Sequence, residues 1–442
     1  MTLHTWPGRT ICQVSSQPLT ERASTQDSCP GALQVHQAAD GGLVRVRVPA
    51  GVLTAGQWQA LIAASAELGG GNLDLTSRGN VQLRGLRPDA ETALATRLAS
   101  ADLLPSLTHE RVRNLLASPL TGRDGVGLAD IRPLIGELDR ALCERPVLAE
   151  LSGRFLFALD DGRGDVAGLG ADITLIATGA HTATLSLAGI PVRSVSLSDA
   201  VTTMLASAEA FLRLRAVEGS SAWRVAELAD GPARIATALV GSGPGAGVGP
   251  EAPAPGVPAD PSAAPCPIGL ISQRDGSTAL VVGIPLGRLS PGQAASLSGH
   301  DLVLTPWRSI VVPDLSGAEA AMLSASAGAV GLIVDRSSPW LGVTACTGRP
   351  GCAKALADVR ADATLVHGTG SPGVRETGAG PAVHWVGCER RCGTPAGNVL
   401  TIVATASGYR LDGATGTVES ASASTWSTHT ASTILEELQA IR

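Results

Sequence analysis

Leu73-Asp-Leu-Thr-Ser-Arg-Gly-Asn-Val-Gln-Leu83 and Leu302-Val-Leu-Thr-Pro-Trp-Arg-Ser-Ile-Val-Val312 are two versions of one phrase. Each runs from apolar residues into a threonine (Thr76, Thr305) and then a short turn. Each resumes at a β-branched residue five positions later, Val81 or Ile310. β-rich stretches interrupted by Gly or Pro read as strand, turn and strand. The likeness extends upstream, where LVRVRVPAGVLTAGQ (43–57) matches ALVVGIPLGRLSPGQ (279–293). Both stretches are preceded by Cys-Pro (Cys29-Pro30, Cys266-Pro267) and by Asp-Gly (Asp40-Gly41, Asp275-Gly276). In both, the matched stretch leads into a helical segment, and a second apolar helix follows the later strand. A strand–helix–strand–helix unit present twice predicts a duplicated α+β domain whose copies pack about a pseudo-twofold axis. The crevice between such copies is the natural place for a site.

The copies are separated by other material. Gly241–Pro265 contains 19 Gly, Pro or Ala among 25 residues, which reads as a linker or long surface loop. Residues 1–28 read as a flexible tail. Copies are expected at 29–105 and 266–335, with α/β regions at 106–240 and 336–442. In the first α/β region, LSGRFLFALDDGRGDV (151–166) is a strand ending in an Asp-Asp-Gly turn. ITLIATGAHTATLSLAGIPV (173–192) is a strand pair with its hairpin near Gly179. A helix over 195–216 has Ser198 or Asp199 as N-cap. In the second, 400–411 reads as a strand and turn, and STILEELQAIR (432–442) as a closing helix.

At 442 residues the chain needs more than one core, and 44% hydrophobic with 16% charged residues describes globular domains. The net charge of −6 argues against nucleic acid as a partner. No apolar run is long enough to span a bilayer, and no secretion signal is visible, so a cytoplasmic protein with reduced thiols is expected. Of 33 lysines and arginines one is lysine, Lys354, and it lies two residues after Cys352.

Four thiols are the strongest chemical signal. Cys346 and Cys352 are spaced Cys-x5-Cys, and Cys388 and Cys392 Cys-x3-Cys. Two tight pairs suit either an iron–sulfur cluster or one tetrahedral zinc ion. Zinc knuckles prefer shorter first spacings, which favours the cluster. Cys352 opens CAKALADVRAD, read as a helix whose N-terminus would favour thiolates. Arg349, Lys354, Arg390 and Arg391 supply positive charge, and Gly348, Gly351 and Gly393 let the backbone approach. Cys29 and Cys266 hold matching places in the repeat and read as structural, and Cys12 and Cys143 as a tail thiol and a helix-packing residue.

Three arginines at strand and loop edges, Arg78, Arg113 and Arg154, are candidates for a polyanionic ligand, because guanidinium forks bind carboxylates in bidentate fashion. His109 and His384 are the histidines to watch as iron ligands or acid–base groups, although each reads first as an ordinary polar residue. No dinucleotide fingerprint stands in a strand–helix context.

The duplicated half-domain, the TSRGNVQL strand and the Cys-x5-Cys…Cys-x3-Cys site together resemble the nitrite/sulfite reductase superfamily. More narrowly, SPWLGVTACTGRPGCAKALADVRADA (338–363) and VHWVGCERRCGTPAG (383–397) are similar to its oxygen-dependent precorrin-3B synthase branch. The resemblance implies an α+β, nitrite/sulfite reductase-like fold with two ferredoxin-like half-domains and two α/β domains, one carrying the metal site. It implies a 4Fe-4S cluster on Cys346, Cys352, Cys388 and Cys392. It further implies a monooxygenase of cobalamin biosynthesis that hydroxylates carbon 20 of precorrin-3A and forms a γ-lactone. Arg78, Arg113 and Arg154 would meet the tetrapyrrole, and Arg349 and Lys354 would lie in the cluster or tetrapyrrole environment. Dioxygen, a mononuclear non-haem iron and an electron donor (a NADH-linked reductase or a ferredoxin) would complete the system in a monomeric enzyme. No 2-His-1-carboxylate pattern marks ligands for that iron.

The alternative within the superfamily is a siroheme-dependent nitrite or sulfite reductase. Those enzymes carry two lysines that bind the small anion and supply protons; here the matching positions are Arg154 and Leu156. A non-catalytic iron–sulfur carrier is the reading from another class.

Overall fold

The computed structural model describes residues 29–239, 267–368, 382–395 and 399–413. The tail with Cys12, the linker and Cys266, and the expected closing helix lie outside the described residues.

The first copy builds β1 (His36–Ala38), β2 (Gly41–Val46), β3 (Val52–Leu53), β4 (Leu73–Leu75) and β5 (Val81–Leu86), with helices α1 (Ala55–Leu68) and α2 (Ala90–Ser100). The middle region contributes β6 (Leu115–Ala117), β7 (Phe157–Asp160), β8 (Ile173–Ala177), β9 (Thr182–Leu187) and β10 (Ile190–Ser196). Its helices are α3 (Arg132–Cys143), α4 (Ala200–Val217) and α5 (Gly231–Ala238). The second copy gives β11 (Gly269–Ser272), β12 (Thr278–Gly283), β13 (Arg288–Leu289), β14 (Leu302–Leu304) and β15 (Ser309–Leu315), with α6 (Pro291–Ala295) and α7 (Gly317–Ala329). The last region holds β16 (Val343–Ala345), α8 (Val359–Gly368), β17 (Ala382–Val386), β18 (Val399–Thr405) and β19 (Gly408–Asp412).

Each copy lends its partner one short strand. The first sheet runs β1-β2-β5-β4-β13 and the second β11-β12-β15-β14-β3, so the orders match and the end strands are exchanged. The exchange follows from a tight turn used twice. Ala50 and Gly51 (φ 53° and 73°), like Leu286 and Gly287 (52° and 68°), are left-handed. Two successive left-handed residues swing the following strand out of its own sheet and across to the other. Gly51 is required there, because a Cβ on it would lie 1.9 Å from the Leu304 carbonyl oxygen. The helices that follow start on matching capping boxes, Thr54 with Gln57 and Ser290 with Gln293. α6 is short because only eight residues separate Gln293 from Leu302, where fifteen separate Gln57 from Leu73.

The inner faces of both sheets share one core, including Val44, Trp58, Leu61 and Leu83 of one copy and Leu280, Val282, Ile310 and Val312 of the other. Trp58 donates its indole N–H to the Ala294 carbonyl across the junction (3.0 Å). The α/β regions repeat as well. The middle sheet runs β10-β9-β8-β7-β6 and the last β16-β17-β18-β19. In both, three parallel strands are followed by an antiparallel one. α4 begins after Asp199, as expected, but no side chain caps it: Asp199 accepts instead from the Ser196 hydroxyl.

Candidate functional site

Alternation along the first sheet decides which residues can face a ligand. Val44, Val46, Leu73, Leu75, Val81 and Leu83 point into the core, so Arg45, Arg47, Asp74, Gln82 and Arg84 take the opposite face. That face is covered by the rest of the chain: Arg47 and Asp74 are buried, and Arg45 and Arg84 half-buried. Arg47 is 2% exposed. Its Nε donates to the Arg111 carbonyl (3.1 Å), while both terminal nitrogens are buried without a partner. Arg45 reaches Gln82 with one nitrogen and leaves its Nε unpaired. Arg78, on the β4–β5 turn, donates to the Gly153 carbonyl at 3.3 Å.

Burial, reinforced by neighbouring guanidinium groups, pushes Arg47 down to about 9 and Arg78 to about 10. Arg45 also falls through burial. Arg224 stands close to Arg78 and is paired with Asp172 (2.6 Å). Glu110, 6% exposed, accepts the Ala32 N–H at 2.7 Å and offsets part of Arg47's charge. Four arginines thus gather against two carboxylates. Buried cations in excess call for an anion.

The structure brings Arg78 and Arg154 together but not Arg113. Arg154 is exposed, follows Gly153 directly, and lies over the Trp223 ring, 5.1 Å from its centroid. Arg113 forms a bidentate pair with Asp139 (2.7 and 2.6 Å), its side chain 4% exposed. Its fork is therefore committed to α3. With Arg47, Arg123 and Arg132 it lines a cavity of about 320 Å³. Arg45 and Arg47 escaped notice in sequence because alternating charged residues in a strand read first as a solvated face. The clue was that β12, which aligns with β2, has Val281 and Gly283 at those positions.

The cysteines occupy loops at the ends of β16 and β17. Cys346 follows β16, donates its backbone N–H to the Trp385 carbonyl (2.8 Å), and its Sγ accepts the Gly387 N–H at 3.2 Å. Burial raises its thiol, and Cys392 lies near enough to add to the shift. Cys352 does not open a helix. Residues 352–358 form turns and α8 starts at Val359. Backbone groups of this stretch are engaged outside it: Leu356 donates its N–H to the Gly387 carbonyl (2.7 Å), and the Ala357 carbonyl accepts the Arg349 N–H (2.9 Å). Gly387 lets the loops meet, since a Cβ there would lie 2.6 Å from that of Ala355.

Arg349 spends its Nε on the Ala355 carbonyl (2.8 Å), closing the loop rather than facing a ligand. Lys354 is exposed and lines an open recess of about 640 Å³ with Cys388, Glu389, Arg390 and Arg410. His384 is buried, with Nδ1 on the Thr344 hydroxyl (2.8 Å) and Nε2 on the Cys392 carbonyl (3.2 Å). His109 is likewise occupied at both nitrogens, by Ser106 and Thr108 hydroxyls and the Arg145 carbonyl. Both are positioned as structural residues.

Among the described residues no group of three or more His, Cys, Asp or Glu side chains converges closely enough for a single metal ion. A cubane holds its thiolates further apart, and four free thiols on two glycine-rich loops, one already accepting a backbone N–H, fit that larger group.

The nitrite/sulfite reductase ferredoxin-like half-domain model matches residues 36–101. A precorrin-3B synthase from Sinorhizobium sp. is 28% identical over 412 residues, covering 89% of this chain and 85% of the relative. Ferredoxin–nitrite reductases from Leptolyngbya laminosa and Synechococcus elongatus are each 32% identical, over 26% and 27% of this chain and 24% and 25% of their own lengths. The solved structure of Mycobacterium tuberculosis NirA matches with a TM-score of 0.64 at 21% identity, covering 84% of this chain and 74% of that one. No helix among the described residues is long and apolar enough to cross a membrane. With its exchanged strands and the likeness along most of its length, the chain has a nitrite/sulfite reductase-like fold and is similar to a precorrin-3B synthase.

Proposed function

We propose that the chain is an oxygen-dependent precorrin-3B synthase, converting precorrin-3A to precorrin-3B by hydroxylation at carbon 20 and γ-lactone formation. The observation that carries this reading is the surplus of buried guanidinium groups on the outer face of the first sheet. Precorrin-3A is fringed with acetate and propionate groups. Arg45 and Arg47 would take its carboxylates with donors that have no protein acceptor, Arg78 would join them from the β4–β5 turn, and Arg154, propped on Trp223, would close the rim. Because the guanidiniums are buried and fixed in place, they would orient the macrocycle with little reorganisation. Arg113 is not assigned to this surface, since Asp139 holds it.

Cys346, Cys352, Cys388 and Cys392 would hold a 4Fe-4S cluster, which when bound supplies single electrons from a ferredoxin or a NADH-linked reductase. The likeness to a precorrin-3B synthase over 89% of the chain supports the substrate class. Leu156 weighs against the siroheme reductases: it is 2% exposed and packs with Leu116, Ala158 and Ala171, so this position offers neither charge nor proton. Anaerobically purified protein, given precorrin-3A, dioxygen and a reductant, is expected to form precorrin-3B. Stoichiometric siroheme bands together with nitrite or sulfite reduction would overturn the reading.

A further inference from the structure

A second group of arginines, half-buried, faces the cysteine loops. Asp74, at 6% exposure, receives Arg288 in bidentate fashion (2.6 and 2.9 Å), and Arg84 is paired in the same way with Asp40. Those two pairs cancel. Arg84 also donates to the Gly351 carbonyl at 2.6 Å, beside Cys352. Two cations are left over. Arg360, in the first turn of α8, donates to the Leu286 carbonyl (3.2 Å), keeps 3.9 Å from the already paired Asp74, and has a buried Nε without a partner. Cys346 lies within its electrostatic reach. The Arg308 guanidinium makes no hydrogen bond among the described residues, its backbone pairing with Thr305 and Ile284. Its terminal nitrogen lies 3.9 Å from where a Cβ on Gly393 would stand, next to Cys392. Its backbone is left-handed (φ 58°), a conformation an arginine adopts at a cost.

We propose that Arg360 and Arg308 are the counter-cations of the cysteine site, balancing the negative charge that four thiolates leave on a cluster and setting its reduction potential. This rests on the reading that the four cysteines hold a 4Fe-4S cluster. Such a cluster with four thiolates is a dianion in its oxidised form, and two guanidiniums with no carboxylate of their own match it. Reduction adds one electron and one negative charge, so nearby buried cations favour the reduced form. Arg360 and Arg308 are positioning residues in this sense: they act on the cluster and not on substrate.

The test is an EPR-monitored redox titration of the anaerobic holoenzyme without tetrapyrrole. Iron and acid-labile sulfide analysis of the unaltered protein comes first; absence of both would remove the cluster reading itself. With the cluster present, Arg360→Gln is expected to shift the midpoint to more negative potential, Arg360→Lys to restore most of it, and Arg308→Gln to shift it the same way. Should Arg360→Gln fail to fold, Arg308→Gln alone decides. In a cluster-free background made by Cys392→Ser, Arg360→Met is expected to raise the melting temperature, because the cation there lacks its anion. An unmoved midpoint at full cluster content, or weakened tetrapyrrole binding with an unmoved midpoint, would overturn the proposal.

Discussion

The same row of cross-strand partners reads Arg45, Gln82, Asp74, Arg288 in the first sheet and Val281, Val311, Val303, Val52 in the second. The sheets share their order, their exchanged strand and their turns, and they differ on their outer faces. The inner faces had no freedom to diverge, since both fill one core. The outer faces are covered by different neighbours. In the second sheet Val281, Val303 and Val311 pack with Ile268, Ile333 and Leu120 into a dry wall. In the first, buried guanidiniums replace that wall. One face is an apolar support and the other is lined with cations.

The α/β regions differ in a parallel way. Ser118 follows β6 as Cys346 follows β16, and each accepts one backbone N–H from the loop after the neighbouring strand: Ser118 Oγ from Asp161 (3.2 Å), Cys346 Sγ from Gly387 (3.2 Å). Where the second region has thiols, the first has an ion-pair lattice. Arg163 bonds Asp161 and Asp124 in bidentate fashion, and Asp160 accepts the N–H groups of Gly162, Gly164, Val166 and Ala167. Charged side chains stitch the first pair of loops, and a metal group would stitch the second.

Cys346→Ser gives the second region the chemistry of the first and carries the largest expected effect. The hydroxyl keeps the Gly387 N–H bond, so the fold should survive. One of four soft ligands is lost, and bound iron and sulfide should fall to a small fraction of the unaltered protein's. Full cluster content in that variant would show that Cys346 is not a ligand. The converse lesion, Asp161→Ala, strips Arg163 of one carboxylate while the cation stays buried. A loss of about 3–5 kcal/mol is expected in urea denaturation, with cluster content unchanged.

Much of this contrast was legible in the sequence. The doubled Thr-turn-strand phrase announced the repeat, because apolar periodicity survives wherever a core is shared. The cysteine spacings announced the loops. What could not be read was which charges would be buried. Arg113 and Arg47 look equally exposed as letters, yet one finds Asp139 on α3 and the other finds no carboxylate in contact. That depends on partners 26 residues away in the first case and on the cover of a whole sheet face in the second. Nor did local pattern foresee that 352–358 would fail to be helical, since the competing partners, the Gly387 carbonyl for Leu356 and the Arg349 N–H for Ala357, come from outside the stretch.

Arg47→Met tests the outer faces directly. Losing a charge-assisted contact to a substrate carboxylate should weaken tetrapyrrole binding by about 1.5–3 kcal/mol, roughly tenfold to a hundredfold. Stability should hold or rise, because an unpaired buried cation gives way to an apolar chain of similar length. A spectroscopic binding titration with a urea midpoint separates the two. On the second sheet Ile333→Ala should do the reverse, costing about 2–5 kcal/mol of stability and leaving affinity alone. If both variants change only stability, the arginine face is a wall like its counterpart.

The smallest expected effect is a pH slope of opposite sign in the two halves. Asp165, buried beside Ser118 in the first α/β region, is pushed up to about 7 by burial, helped by Asp160. The folded chain keeps that proton up to about pH 7, whereas the unfolded chain releases it near pH 4. Folding therefore takes up a proton across that window, and this group's contribution to stability declines as pH rises from about 4 to 7. His367, buried in the second region and accepting the Trp385 indole N–H (3.2 Å), is pushed down to about 4 by burial. It stays neutral when folded but charges near pH 6.5 when unfolded. Its contribution is present above that pH and is lost as pH falls toward 4. The two slopes oppose each other in the unaltered protein and can be parted by mutation. Asp165→Asn should make stability rise more steeply with pH between about 4 and 7 than in the unaltered protein, and His367→Gln should make it rise less steeply, each read from urea midpoints along a pH series. Identical profiles for both variants would mean that neither group titrates differently on folding, and the halves would then differ in ligand chemistry but not in proton linkage.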